Sequence, residues 1–406
     1  YTAPELKLDP PVDFESKEYR AMIEASLVQT GNLYRIQKAI EKAERGEEVV
    51  IAYLGGSITQ GAGAKPIHTE SYAYRSYQAF RKRFGKGNGE NVRLIKAGAG
   101  GTCSELGLTR YELDVLRKGT VTPDILFLEY AVNDAGDETD GVCFESLARM
   151  AMDGPGTPAV ILLFAVFMSD FNLQERMIPV GERLKLPMIS IRNAVVPQFS
   201  GEKPVMTKRQ FFYDLFHPSN EGHRVMADCI DYFWEQAGAA APETEDAVIG
   251  AEPAIGERYR TLLSFDRSSY KEHSAVKELS CGVFEETDTM LQCVEKDDNA
   301  YASPEFPDNW MKAPEKSGEP FRMRICCKDL LLVYKDAGDP RFGKVEVRVD
   351  NTVTRTIDPL EIGWNHCNAY IVYQSEEAAE HEVEIAMKPE DMEKGFTILG
   401  FGYTLS

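Results

Sequence analysis

The sequence predicts two domains of different class: an α/β domain with a largely parallel sheet over residues 31–240, and an all-β sandwich over residues 258–406. Three observations carry this. Up to about residue 236, short apolar runs alternate with amphipathic stretches, the pattern of strands covered by helices on both faces. Beyond residue 258 the apolar period becomes two and helical patterning fades. Between them, residues 241–257 are small, acidic and proline-bearing, as a linker is. A chain of 406 residues also exceeds what one core commonly serves.

The elements follow in order. Residues 1–30 are polar and carry prolines, and are expected to wrap the surface as an extension. Asn32–Arg45 reads as a helix. Apolar runs at Val49–Leu54, Val92–Ala97, Ile125–Leu128, Ala159–Phe167 and Pro187–Ile191 read as strands. Ser71–Phe84 and Ser104–Arg117 are amphipathic and read as helices between them. Asn220–Gln236 closes the domain as a helix, with Ser219 or Asn220 as its cap. In the second domain Lys344–Val349 alternates cleanly, and Asp350-Asn351 supplies a turn before Thr352–Thr356. Ala369–Tyr373, Glu382–Met387 and Phe396–Tyr403 are further strands.

Composition narrows the function. The net charge of −20 disfavours a nucleic-acid partner, which needs a concentrated basic face. No run of 18 apolar residues offers a membrane span. The eight cysteines are scattered, without CxxC pairs, so neither a zinc pattern nor a disulfide scaffold is expected. A reducing, cytoplasmic setting is the expectation. No metal and no cofactor is expected, because no ligand cluster has usable spacing. A homo-oligomer is compatible with the sequence.

Two segments carry the chemistry. Leu54-Gly-Gly-Ser57-Ile-Thr-Gln-Gly61 follows the first long strand and precedes a helix. Ligands of open parallel sheets bind beyond the carboxyl ends of strands, so Ser57 falls where a nucleophile belongs. Taken alone, the segment also fits a plain glycine-rich turn. GxxxxGK[ST], GxGxxG and GxSxG are all absent there. Asp214-Leu-Phe-His217-Pro218 follows the last strand of the domain. A serine hydroxyl needs a base, His is the base suited to neutral pH, and a carboxylate three residues earlier can orient it. His223 reads as structural. Two further strand ends, Lys96–Thr102 and Glu129–Asp134, bring glycine N–H groups and the Asn133 amide to the same edge, where an oxyanion needs donors.

In this order the segments resemble the SGNH, or GDSL, hydrolase family, whose four blocks centre on Ser, Gly, Asn and His. The blocks here are Gly55-Gly-Ser57-Ile-Thr59, Ala97–Thr102, Ala131-Val-Asn133-Asp134 and Asp214–Pro218. The resemblance spans roughly residues 45–238 and implies a flavodoxin-like three-layer α/β/α sandwich. It also implies Ser57 as nucleophile, His217 as base, Asp214 as its orienter, and an oxyanion hole of the Ser57 and Gly101 N–H groups and Asn133. The usual Asp before the serine is Gly56 here, and the Asn that commonly opens the second block is Lys96. Both point to a subgroup with a GGSIT first block, similar to two-domain carbohydrate acetylesterases. The implied function is removal of O-acetyl groups from carbohydrate. The alternatives are a lipase- or thioesterase-type acyl hydrolase and a non-catalytic glycan-binding protein. The expected partner is a small-molecule or oligosaccharide ester. In the β domain, Trp310 and Trp364 are candidates either for stacking on sugar rings or for filling the core. That domain can also pack over the site and help shape it.

Overall fold

The computed structural model describes residues 9–201, 203–248, 250 and 252–406. The first sheet contains β1 (Leu27–Gln29), β2 (Val49–Gly55), β3 (Val92–Gly98), β4 (Ile125–Glu129), β5 (Ala159–Phe164) and β6 (Met188–Ser190). Their order is β1-β6-β5-β4-β2-β3, with β2 to β6 parallel and β1 antiparallel to β6. Without the edge strand β1, this is the flavodoxin-like order.

Alternation within β2 explains the three layers. Ile51 and Tyr53 point into one core with helices Tyr34–Arg45, Tyr72–Phe84 and Asn220–Ala239. Ala52 and Leu54 point into a second core with helices Ser104–Arg110, Val142–Asp153 and Gln174–Arg183. A strand buried on both faces needs apolar residues along its length, and β2, β5 and β4 up to its terminal Glu129 have them.

The amino-terminal segment departs from expectation. Ser16 caps a helix over Lys17–Glu24 that buries Tyr19, Met22 and Ile23, and β1 extends the sheet edge. The described part of the expected surface extension thus contributes apolar residues to the core. Residues 1–8 lie outside the described residues. The helix expected over 104–117 stops at Arg110 and continues as a π-helical turn, Tyr111–Val115.

The second domain comprises β7 (Leu263–Phe265), β8 (Val276–Ser280), β9 (Cys293–Val294), β10 (Ser303–Pro304), β11 (Trp310–Lys312), β12 (Phe321–Asp336), β13 (Val345–Val349), β14 (Thr352–Ile357), β15 (His366–Met387) and β16 (Phe396–Thr404). β9 and β10 form a separate ribbon. The rest run antiparallel in the order β11-β16-β12-β15-β13-β14, with β7 added to β16 and β8 to β12. Leu332 of β12 pairs with Phe401 of β16. Phe321, eleven residues before Leu332, would sit about 36 Å away along a straight strand. Its ring instead stacks on Phe401 at 5.7 Å. β12 therefore folds back on itself, with register shifts between Cys327 and Asp329 and between Leu330 and Leu331, and closes the sheet over one core. The two strands expected at 369–373 and 382–387 are parts of the single strand β15.

The domains share apolar contacts. Leu330 and Leu332 face the β core, whereas Leu331 joins the second core of the α/β domain. Val333 clusters with Leu106, Leu291 and Phe306. The carboxyl end of the expected linker is docked as well: the Ala254, Ile255 and Gly256 N–H groups donate to the buried Glu145 carboxylate.

Candidate active site

β2 is the point where successive crossovers turn in opposite directions, to β3 on one side and β4 on the other. Such a switch point opens a crevice at the strands' carboxyl ends. Ser57 sits there, as the first residue of the short helix Ser57–Gln60. Its N–H lies in the first turn, where helical N–H groups have no intrahelical acceptor.

The loop after β6 reaches the same place from the far side of the sheet. His217 Nε2 lies 3.0 Å from Ser57 Oγ, and His217 Nδ1 lies 2.8 Å from Asp214 Oδ2. The Asp214 carboxylate shapes its own loop, because Oδ1 accepts the Phe216 and His217 N–H groups at 2.8 Å each. Tyr213 N–H donates to His217 O, and Met168 N–H donates to Leu215 O, pinning the loop to the end of β5. Partial burial raises the Asp214 carboxyl, but hydrogen bonds from the His217 ring and the two N–H groups outweigh it and hold the group below its usual range.

The two oxyanion segments border this chain of groups. The Asn133 amide lies over Gly56, where a Cβ would meet its oxygen at 2.2 Å. At Gly100 and Gly101 the chain turns, with Gly101 at φ +73°. The Gly100 N–H donates to Gln60 Oε1 at 3.1 Å, while the Gly101 N–H makes no hydrogen bond among the described residues. Cys103 Sγ donates to Asn133 O, and Ser104 N–H donates to Asp134 Oδ1, tying the glycine and asparagine segments together.

The β domain supplies supports that the sequence alone does not signal. Gln292 Nε2 donates to Gly100 O at 2.8 Å, and Gln60 Nε2 donates to Glu295 Oε2 at 2.9 Å. A Cβ on Gly101 would lie 2.6 Å from the Trp364 ring, which stacks on His366 with centroids 4.5 Å apart. Trp364 is 44% exposed and walls the site. Trp310 is buried at the centre of the β core, against Phe321 and Phe401, so its sugar-stacking role is ruled out.

Beneath the strand ends lies a buried ion network. Arg110 donates to Ala97 O and Gly55 O and pairs with Asp114, and Lys296 of the β domain pairs with both Asp114 and Glu305. These two carbonyls end β2 and β3, so the network braces the strands that carry Ser57 and Gly101. Lys96, at the position where the family has Asn, is buried and donates to Gln60 O; burial lowers its ammonium to about 8. His223 accepts from Tyr72 N–H and donates to Ala62 O, and burial lowers it to about 4, so it is a neutral structural residue, as its position suggested.

No metal was expected. Among the described residues, Cys103, Glu105 and Asp134 place ligand atoms within 4.8 Å of one another. Burial comes first in raising both carboxyls, with neighbouring Asp137 next; Asp134 reaches about 8.

A serine hydroxyl, an imidazole hydrogen-bonded to a carboxylate, and amide groups meet at the switch point of a three-layer sandwich, and the class is that of a carboxylic ester hydrolase. Residues 53–225 match the model of the GDSL-like Lipase/Acylhydrolase family. The whole chain is similar to the crystal structure of a two-domain esterase (CEX) active on acetylated mannans. The identity is 24%, the TM-score 0.79, and the match covers 95% of this chain and 99% of that one. The same esterase co-crystallised with mannopentaose matches with 24% identity and a TM-score of 0.77, covering 95% and 98%. At this identity the likeness establishes the shared two-domain fold. No curated protein sequence matches the chain significantly.

Proposed function

We propose that this protein is a serine esterase that removes O-acetyl groups from carbohydrate. The observation that carries the reading is the continuous hydrogen-bonded chain Ser57–His217–Asp214 at the switch point. His217 Nε2 takes the Ser57 proton as Oγ attacks the acetyl carbonyl carbon. The carbonyl π pair moves onto oxygen, where the Ser57 and Gly101 N–H groups and the Asn133 amide stabilise it. As the pair returns, the C–O bond to the sugar breaks and His217 protonates the leaving hydroxyl. Water then gives a proton to His217, attacks the acetyl-serine, and releases acetate as the proton returns to Ser57.

Two features favour a short acyl group on a sugar. Trp364 packs against the Gly101 turn and closes one side of the site, which favours a short acyl group. Half-exposed aromatic rings flank it on both sides, Trp364 on one and Phe216 with Tyr213 on the other, and such faces stack on sugar C–H groups. The likeness to an esterase active on acetylated mannans points the same way. The test is acetate release from acetylated manno- and xylo-oligosaccharides, compared with long-chain esters. Ser57→Ala is expected to abolish release with the fold intact, and Asn133→Ala to slow it on the order of 100- to 1000-fold. Full activity in either variant, or preference for long-chain esters, would refute the proposal.

A further inference from the structure

Glu129 ends β4 and points beneath the Ser57 turn. Its carboxyl is fully buried, and Oε2 accepts the Thr59 hydroxyl at 3.0 Å. The Thr59 oxygen also lies 2.8 Å from the Tyr72 hydroxyl. The Gly56 and Thr59 N–H groups face the same carboxyl. The Glu129 backbone presses against the turn too, since a Cβ on Gly55 would meet its carbonyl oxygen at 2.6 Å. Oε1 is buried and makes no hydrogen bond among the described residues. A buried carboxyl that gathers contacts from Gly56 and Thr59, which flank the serine, is costly to keep unless it serves the turn.

We propose that Glu129 is a positioning residue, which holds the Gly55–Thr59 turn from below so that Ser57 Oγ and N–H keep their places in the site. This rests on Ser57 as the nucleophile. Gly56 carries no side chain, so the turn lacks a polar anchor of its own at that residue. The neighbouring strand supplies one through Thr59 instead. Fixing Thr59 fixes the first turn of the Ser57–Gln60 helix, and with it the direction of the Ser57 N–H. Burial dominates the carboxyl's titration and lifts it to about 8, so near neutral pH Glu129 anchors as an uncharged acid. An uncharged anchor leaves no anion under a site where negative charge develops.

The variants separate anchoring from mere filling. Glu129→Leu keeps the volume and removes the acceptors, whereas Glu129→Gln keeps a neutral acceptor for Thr59. Two rates are read: kcat for acetyl-ester hydrolysis, and labelling of Ser57 by a fluorophosphonate. Glu129→Leu is expected to lower both on the order of 10- to 100-fold with KM nearly unchanged, as a misplaced nucleophile does. Glu129→Gln is expected to stay close to the parent. If Glu129→Leu fails to fold, Thr59→Val removes the hydroxyl from the other end and is expected to slow labelling as well. Parental labelling rates in folded Glu129→Leu or in Thr59→Val, or equal loss in the Leu and Gln variants, overturn the role of Glu129 while leaving the esterase reading intact. A parent chain that neither labels nor releases acetate overturns both.

Discussion

Asp214→Asn tests how the imidazole is oriented. In the parent, Asp214 Oδ1 accepts two backbone N–H groups at 2.8 Å, and Oδ2 accepts the ring Nδ1–H at 2.8 Å. An asparagine must keep its oxygen on the two N–H groups, because its NH2 cannot accept them. The NH2 then faces His217 Nδ1 and favours the tautomer in which Nδ1 accepts. The ring proton moves to Nε2, which faces Ser57 Oγ at 3.0 Å and no longer serves as its base. Where such a carboxylate is deeply buried, the same change costs about 10⁴-fold in kcat. Asp214 is 42% exposed on its side chain, so water can partly relieve the wrong tautomer. The expected loss is therefore on the order of 10³-fold, about 4 kcal/mol of transition-state stabilisation. Steady-state hydrolysis of an aryl acetate reads it, with circular dichroism to verify the fold. A kcat within ten-fold of the parent would refute the orienting role.

Two further outcomes are expected. Glu129 and Asp134 are both held up to about 8 by burial, against values near 4 for the unfolded chain. Their stabilising effect is whole below about pH 4 and is lost as pH rises through about 8, since the folded state retains protons the unfolded chain has released. Scanning fluorimetry should show Tm falling from pH 5 to pH 8.5, with a shallower fall in Glu129→Gln; a flat profile in the parent would contradict the buried titrations. Trp364→Ala should raise KM for an acetylated oligosaccharide about three- to ten-fold, the range of one aromatic contact, while kcat on a small aryl acetate changes little. Equal effects on both substrates would mean that the ring supports the Gly101 turn rather than holding sugar.

Local chemistry made much of this molecule readable in one dimension. β2, β4 and β5 are buried on both faces, so each is an apolar run, broken in β4 only at its last residue, Glu129, and each was legible with bounds close to those observed. Ser57 follows such a strand. The carboxyl end of a parallel strand is a fixed address in an open sheet, so that segment's place was legible too. Asp214 and His217 share one short loop, where spacing alone brings a carboxylate to an imidazole. β12 was not legible. Its run Leu330–Val333 alternates between two apolar destinations, the β core and the neighbouring domain, and this erases the period of two. Lys17–Gln29 was misjudged because the burial of a short helix and a three-residue strand depends on what they dock against.

What the sequence determined by itself was the fold class, the strand ends where Ser57, Gly101 and Asn133 lie, and the pairing of Asp214 with His217. Tertiary structure alone decided that Gln292 and Trp364 reach the Gly101 turn from another domain, that Trp310 is core, and that Glu129 stands under Ser57. The reason is physical: a strand's periodicity records whether each face meets oil or water, but not which distant segment provides the contact.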